Sequence, residues 1–273
     1  MMRILLANPN MTVAMTDDMT AIARRIAGPG VEIVPLTAAR GFPYIASRAE
    51  ALIAGGIALE MIAEHAEGAD AAIIAAFGDP GLIAAREMFD MPVIGMAEAA
   101  VMTAAMLGQR FSVVTFSPVM TRWYLDCVKG TGLGARCVSV RTPPPGPVDV
   151  ASVRSVLRAE IIALACKAVE DDGADVVILG GAPLAGLAQQ IAGQVPALVI
   201  DPISAAVAQA IALATTAPVH GYGGRASKPG GKASVGLGPA LAALMGAGVV
   251  TGAGVAAKAG AGIGAGVGAG TGA

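Results

Sequence analysis

Aromatic side chains are scarce in this chain, with one Trp, three Tyr and five Phe in 273 residues. Surfaces for base stacking are therefore poorly supplied. Lys and Arg total 18 against 20 Asp and Glu, and no basic stripe is visible, so nucleic acid is not an expected partner. Histidine is nearly absent. His65 falls late in an expected helix and His220 borders a glycine-rich tail, so neither is placed for a His-based nucleophilic triad. The three cysteines, Cys127, Cys137 and Cys166, show no metal-ligand spacing, and packing is their expected role. An odd count without a secretion signal favours reduced thiols and a cytoplasmic protein. The opening MMRILLANPN holds too short an apolar run for a signal peptide. GTGLGA at 130–135 fits G-x-G-x-x-A, but it follows a helix and precedes a strand, the reverse of a dinucleotide fingerprint. It reads as a helix cap and loop, and no cofactor or metal is implied.

Large side chains also become sparse after residue 218. The last fifth of the chain holds almost half of its 37 glycines and little that could be buried. Residues 219–273 are expected to be a low-complexity, disordered tail. Val235 to Ala257 carries no charge and is long enough to span a bilayer, but Gly and Ala gain little by leaving water, so a membrane helix is not expected.

What the chain does have is alternation. Short branched apolar runs, each ending in a turn, alternate with helical periodicity. Strands are expected at 3–7, 31–36, 71–77 and 92–96, with helices at 12–27, 47–67, 80–89 and 98–108. The series then restarts, with strands at 111–116, 137–141, 175–181 and 197–201. Its helices fall at 121–130, 150–173, 185–193 and 203–216. This is the pattern of an α/β protein with parallel sheets flanked by helices. ADAAIIAAFGDPGL, from Ala69, returns as ADVVILGGAPLAGL, from Ala174. Asp70 maps to Asp175 at an offset of 105, and Pro92 to Pro196 at 104. Two pseudo-twofold halves are expected, 1–108 and 109–218, each a four-stranded parallel sheet.

In such sheets ligands gather beyond the carboxyl ends of the strands. The candidates there are Asn8 and Asn10, Ala76, Phe77, Gly78 and Asp79, Thr115 and Ser117, Gly180 to Ala182, and Asp201. Helix N-termini offer backbone N–H groups for a carboxylate or ring carbonyl, and the Asn, Thr and Ser side chains can add neutral hydrogen bonds. Several have ordinary roles as well. Asn8 and Asn10 could punctuate a turn, Asp79 and Asp201 could start helices, and Ser47 with Glu50 matches a capping box. Ser47 is carried as a ligand-contact candidate beside that reading.

The segments LLANPNMT, YIASRAE, AAFGDPGL, PVIGMAEAA, FSVVTFSP and VVILGGAPLAGL together resemble the aspartate/glutamate/hydantoin racemase superfamily, and within it the hydantoin and allantoin racemases. The resemblance spans about residues 2–216. It implies a cofactor-independent isomerase acting on a small carboxylate or ureide, with homo-oligomers among its relatives. It also implies two cysteines on opposite walls, one thiolate removing a proton and one thiol returning it. Those positions hold Ala76 and Gly181 here, 105 residues apart like the repeat itself. Met11, Phe116 and Pro183 are further departures that make the pocket more apolar. No intact catalytic pair is therefore expected, and Asp79 and Ser117 are the candidate substitutes. Two readings stay open: a family enzyme with altered acid–base chemistry, including a decarboxylase-like or lyase variant, and a silent paralogue that binds its ligand without turnover.

Overall fold

The computed structural model describes residues 1–146, 149–150, 152–216 and 229–247. Its first half runs β1 (Met2–Asn8), α1 (Val13–Ala27), β2 (Val31–Thr37), α2 (Arg48–His65), β3 (Ala71–Ile74), α3 (Leu82–Met88), β4 (Val93–Gly95) and α4 (Met96–Leu107). The second runs β5 (Phe111–Val114), α5 (Thr121–Gly130), β6 (Cys137–Arg141), α6 (Val153–Val156), α7 (Arg158–Glu170), β7 (Val176–Leu179), α8 (Leu187–Ile191), β8 (Leu198–Ile200) and α9 (Pro202–Thr216). Each half forms a four-stranded parallel sheet, ordered β2-β1-β3-β4 and β6-β5-β7-β8. The repeated strand order is the duplication seen in the sequence, now in space.

The strands bury both faces, so their side chains divide by alternation. Ile4 and Leu6 of β1, Ala71 and Ile73 of β3, and Val176 and Ile178 of β7 enter one core with α1, α4, α5 and α9. Leu5, Ala7, Ala72 and Ile74 point the other way, into an outer core with α2 and α3. Val114, Val177 and Leu179 do the same on the second sheet, against α7 and α8. The inner core thus draws on both halves, and α9 packs on α1, α4, β3 and β4 of the first. Gln209 of α9 reinforces this contact by donating to the Ala99 carbonyl and the Thr103 hydroxyl of α4, each at 2.9 Å.

The repeated Ala-Asp openings explain themselves here. The Asp70 carboxylate accepts the Arg3 N–H at 2.7 Å, and the Asp175 carboxylate accepts the Gln109 and Arg110 N–H groups at 2.9 Å. Each pins the start of β3 or β7 to the start of β1 or β5, at the sheet edge opposite the carboxyl ends.

Two expectations change. The single helix expected over 150–173 is interrupted at Leu157, giving α6 and α7. The break lets Val153 enter the outer core while the next residue, Arg154, reaches α1. The tail expectation is corrected in part, because residues 239–247 form α10 (Pro239–Ala247), packed on α2. Leu241 is buried, Leu244 and Met245 rest on the outer core, and the Gly238 N–H donates to Glu60 at 3.1 Å. Even a sparse set of large side chains supports a helix when tertiary packing supplies the burial. Residues 217–228, with His220, and 248–273 lie outside the described residues. Among the described residues no helix is long and apolar enough to cross a membrane.

A core shared by two halves predicts one unfolding transition. Phe111→Ala, at a fully buried position, should cost about 3 to 5 kcal/mol. The far-UV signal and Trp123 fluorescence should shift together in a urea titration; a second transition in either signal would contradict the shared core.

Candidate functional site

The turns after β3 and β7 are built alike. Gly81 and Gly186 both take φ 81° as the left-handed residue before α3 and α8. The carboxylates that brace the turns are arranged differently. Asp79 accepts the Ala97 and Glu98 N–H groups at 2.7 Å, seating its carboxylate on the N-terminus of α4. A side chain on Gly95 would collide with it, since an added Cβ would lie 2.4 Å from the carboxylate. In the second half Leu184 takes the place of Asp79 along the repeat. There Asp201, at the end of β8, accepts the Ser204 N–H at 3.0 Å and the Gly186 N–H at 2.5 Å. A carboxylate therefore ties turn to helix in both halves, supplied from opposite ends.

The two turns meet at a small inner cavity of about 10 Å³, lined by Asn10, Tyr44, Ile45, Ala76, Phe77, Trp123, Tyr124 and Ala182. That volume suits one water-sized group, such as a carbonyl oxygen. Tyr44 and Ala182 also line an outer cavity of about 380 Å³, walled by Thr12, Met15, Asp18, Pro43, Pro183 and Arg154 among others. Among the described residues, the N–H groups of Phe77, Gly78, Gly181 and Ala182 donate no hydrogen bond within the chain. Of these residues, Phe77 and Ala182 line the inner cavity. The Phe77 and Tyr124 rings pack at 4.6 Å and the Tyr44 and Phe116 rings at 5.8 Å. Trp123 lies where any side chain on Gly78 would project, 2.3 Å from an added Cβ.

The asparagines form a lattice. Asn8 donates to Thr16 at 2.9 Å and accepts from the Asn10 N–H and side-chain amide at 3.0 and 2.8 Å. Asn10 accepts the Ile45 N–H at 3.0 Å, holding the loop that carries Tyr44. Asn10 thus reaches the inner cavity, with Asn8 orienting it from behind. Thr115 is fully buried. Tyr124 lies beside it, and its hydroxyl sits 3.6 Å from where a Cβ on Gly181 would be. Burial drives the Tyr44 and Tyr124 phenols far above their ordinary range, so both stay protonated at neutral pH.

The sequence candidates separate on this geometry. Phe77, Ala76, Ala182 and Asn10 line the inner cavity. Ser47 is exposed and forms the capping box with Glu50, its hydroxyl accepting the Glu50 N–H at 3.2 Å. Ser117 precedes a short 3-10 turn, makes no cap bond, and lines neither cavity. The Asp79 and Asp201 carboxylates are engaged at α4 and α9. The Cys127 thiol donates to the Gly78 carbonyl at 3.7 Å, on the α5 side of the turn, and burial pushes it up to about 12. Tyr44, Trp123, Tyr124 and Arg154 were not anticipated, because they come from a loop and helices and not from strand tips. A signal existed: FPY at 42–44 and RWY at 122–124 gather aromatics in a chain that has few.

Burial raises the Asp79 carboxyl to about 7, against the lowering effect of the two N–H groups it accepts. Folding therefore holds that proton more tightly than the unfolded chain, whose value lies near 4. The associated stability is full below about pH 4 and is lost as pH rises through about 7. Asp79→Asn should flatten this decline in unfolding free energy, measured by urea titration across that window; an unchanged decline would refute the assignment.

The Asp/Glu/Hydantoin racemase family profile matches residues 4–210. A hydantoin racemase from Pseudomonas sp. (strain NS671) is 38% identical over 212 residues, covering 76% of this chain and 83% of that protein. The structure of an allantoin racemase from Klebsiella pneumoniae superposes with a TM-score of 0.81 at 35% identity, covering 88% of this chain and 99% of the other. An allantoin racemase from Pseudomonas fluorescens gives 0.79 at 32% identity, covering 86% and all of the other chain. Arylmalonate decarboxylase, at 16% identity and a TM-score of 0.56 over 81% of this chain and 97% of that one, shares the fold. The chain belongs to the Asp/Glu/hydantoin racemase family.

Proposed function

We propose that this chain binds a small ureide or hydantoin-type carbonyl compound between its halves and does not racemise it by a two-base route. The observation that carries this reading is the pair of residues at the matching turns. Ala76 and Gly181 have no ionisable atom. Racemisation needs one group to remove a proton and another to return it from the opposite face. The other titratable groups at the turns and the inner cavity do not fill these roles: Tyr44 and Tyr124 stay protonated, Asp79 is engaged at α4, and Cys127 is a neutral thiol beyond the turn. The free turn N–H groups and Asn10 remain, and they suit a carbonyl oxygen.

The second turn supports the same reading more strongly than the first. Gly181 has φ 120°, where L side chains are strained, and an added Cβ would lie 2.8 Å from the Phe116 ring. Ala76 has neither problem.

Incubated with enantiopure 5-substituted hydantoin, the wild-type protein should leave the rotation decay at the buffer rate, followed by polarimetry. Decay accelerated in proportion to protein would overturn the proposal. Losing a positioned acid or base costs about 10²- to 10⁴-fold in rate. Ala76→Cys should therefore fold normally yet stay inactive alone. Gly181→Cys should lower the melting temperature, and in a double-mutant cycle its cost should be smaller in a Phe116→Ala background than in the wild type. If Gly181→Cys melts like wild type, the account of the second turn is wrong.

A further inference from the structure

The outer cavity contains a charge that the proposed binding role has not used. Arg154, from α6 of the second half, lies on its wall together with Asp18 from α1 of the first. One guanidinium nitrogen donates to the Ala185 carbonyl at 2.9 Å, in the turn after β7. The other pairs with the Asp18 carboxylate. The guanidinium is thus oriented by main chain on one side and neutralised by a carboxylate on the other. The carboxylate belongs to a half-exposed side chain, and such pairs add little net stability, so exchanging it costs little. Asp149, also on the wall, is occupied by the Ser152 hydroxyl at 2.8 Å.

Resting on the binding role argued above, we propose that Arg154 determines ligand specificity by taking a carboxylate at the end of the ligand's substituent, in exchange for that of Asp18. The inner cavity admits about one carbonyl oxygen, so the ring and its substituent must occupy the outer one. Ala14, Met15, Pro43, Val150 and Pro183 supply apolar wall there for a methylene stem, and among the described residues Arg154 supplies the one guanidinium lining it. The ligand class is a cyclic ureide with an acidic side chain. A guanidinium distinguishes such a carboxylate from its amide through charge-assisted hydrogen bonds.

The test uses quenching of Trp123, the chain's single Trp, which lines the inner cavity. The full chain is titrated with hydantoin-5-propionic acid, its primary amide and 5-isopropylhydantoin. The acid should bind about tenfold more tightly than the amide, with an advantage that shrinks as salt is raised. Asp18→Asn should tighten the acid severalfold and leave the amide unchanged. Arg154→Gln should abolish the acid's advantage while retaining the amide's affinity, which also reports a folded site. Equal binding of acid and amide, or an advantage that survives Arg154→Gln, overturns this inference alone. Failure of all three compounds to bind overturns the ureide-binding reading and this inference with it.

Discussion

The structure depends on the burial of α4 and α9 between the two sheets. Neither helix belongs to one half alone. Ala97, Ala100 and Val101 of α4 share a core with Ile203, Ala206 and Val207 of α9 and with the inner faces of β3 and β7. Small residues let the helices approach closely, and the apolar area removed from water on both sides fixes the sheets relative to each other. The cleft follows from this constraint. Once the sheets are fixed, the turns after β3 and β7 meet, and Asp79 and Asp201 attach those turns to the same two helices.

Duplication gives the cleft two matching walls. In this chain the walls match in backbone more closely than in chemistry. Gly81 and Gly186 are conformational twins, and a carboxylate ties turn to helix in each half. At the two matching turns stand Ala76 and Gly181, the latter at φ 120° beside Phe116, where a side chain would be strained. Among the described residues, the inner cavity has an aromatic lining and no carboxylate, histidine or cysteine on its wall.

The fold was largely legible in the sequence, because alternating strand and helix periods and the 105-residue echo are local signals. The site was legible only in part. Ala76, Phe77 and Ala182 could be placed because strand ends define one edge of a parallel sheet. Ser47 and Asp79 were ambiguous: one hydroxyl or carboxylate serves equally as cap or ligand contact until its partner amides are located. Tyr44, Trp123, Tyr124 and Arg154 were not legible, because a loop, α5 and the break at Leu157 deliver them through tertiary packing. The helix at 239–247 was hidden by composition, since the burial that stabilises it is provided by α2.

The central claim is that the cleft holds its ligand without exchanging the proton at the chiral carbon. Proton NMR in D₂O tests this most directly, because loss of the C5–H signal reports proton removal even if no inversion follows. The account predicts that enantiopure 5-substituted hydantoin or allantoin, under conditions where Trp123 reports binding, loses this signal no faster than in buffer alone. Exchange that scales with protein concentration would contradict it.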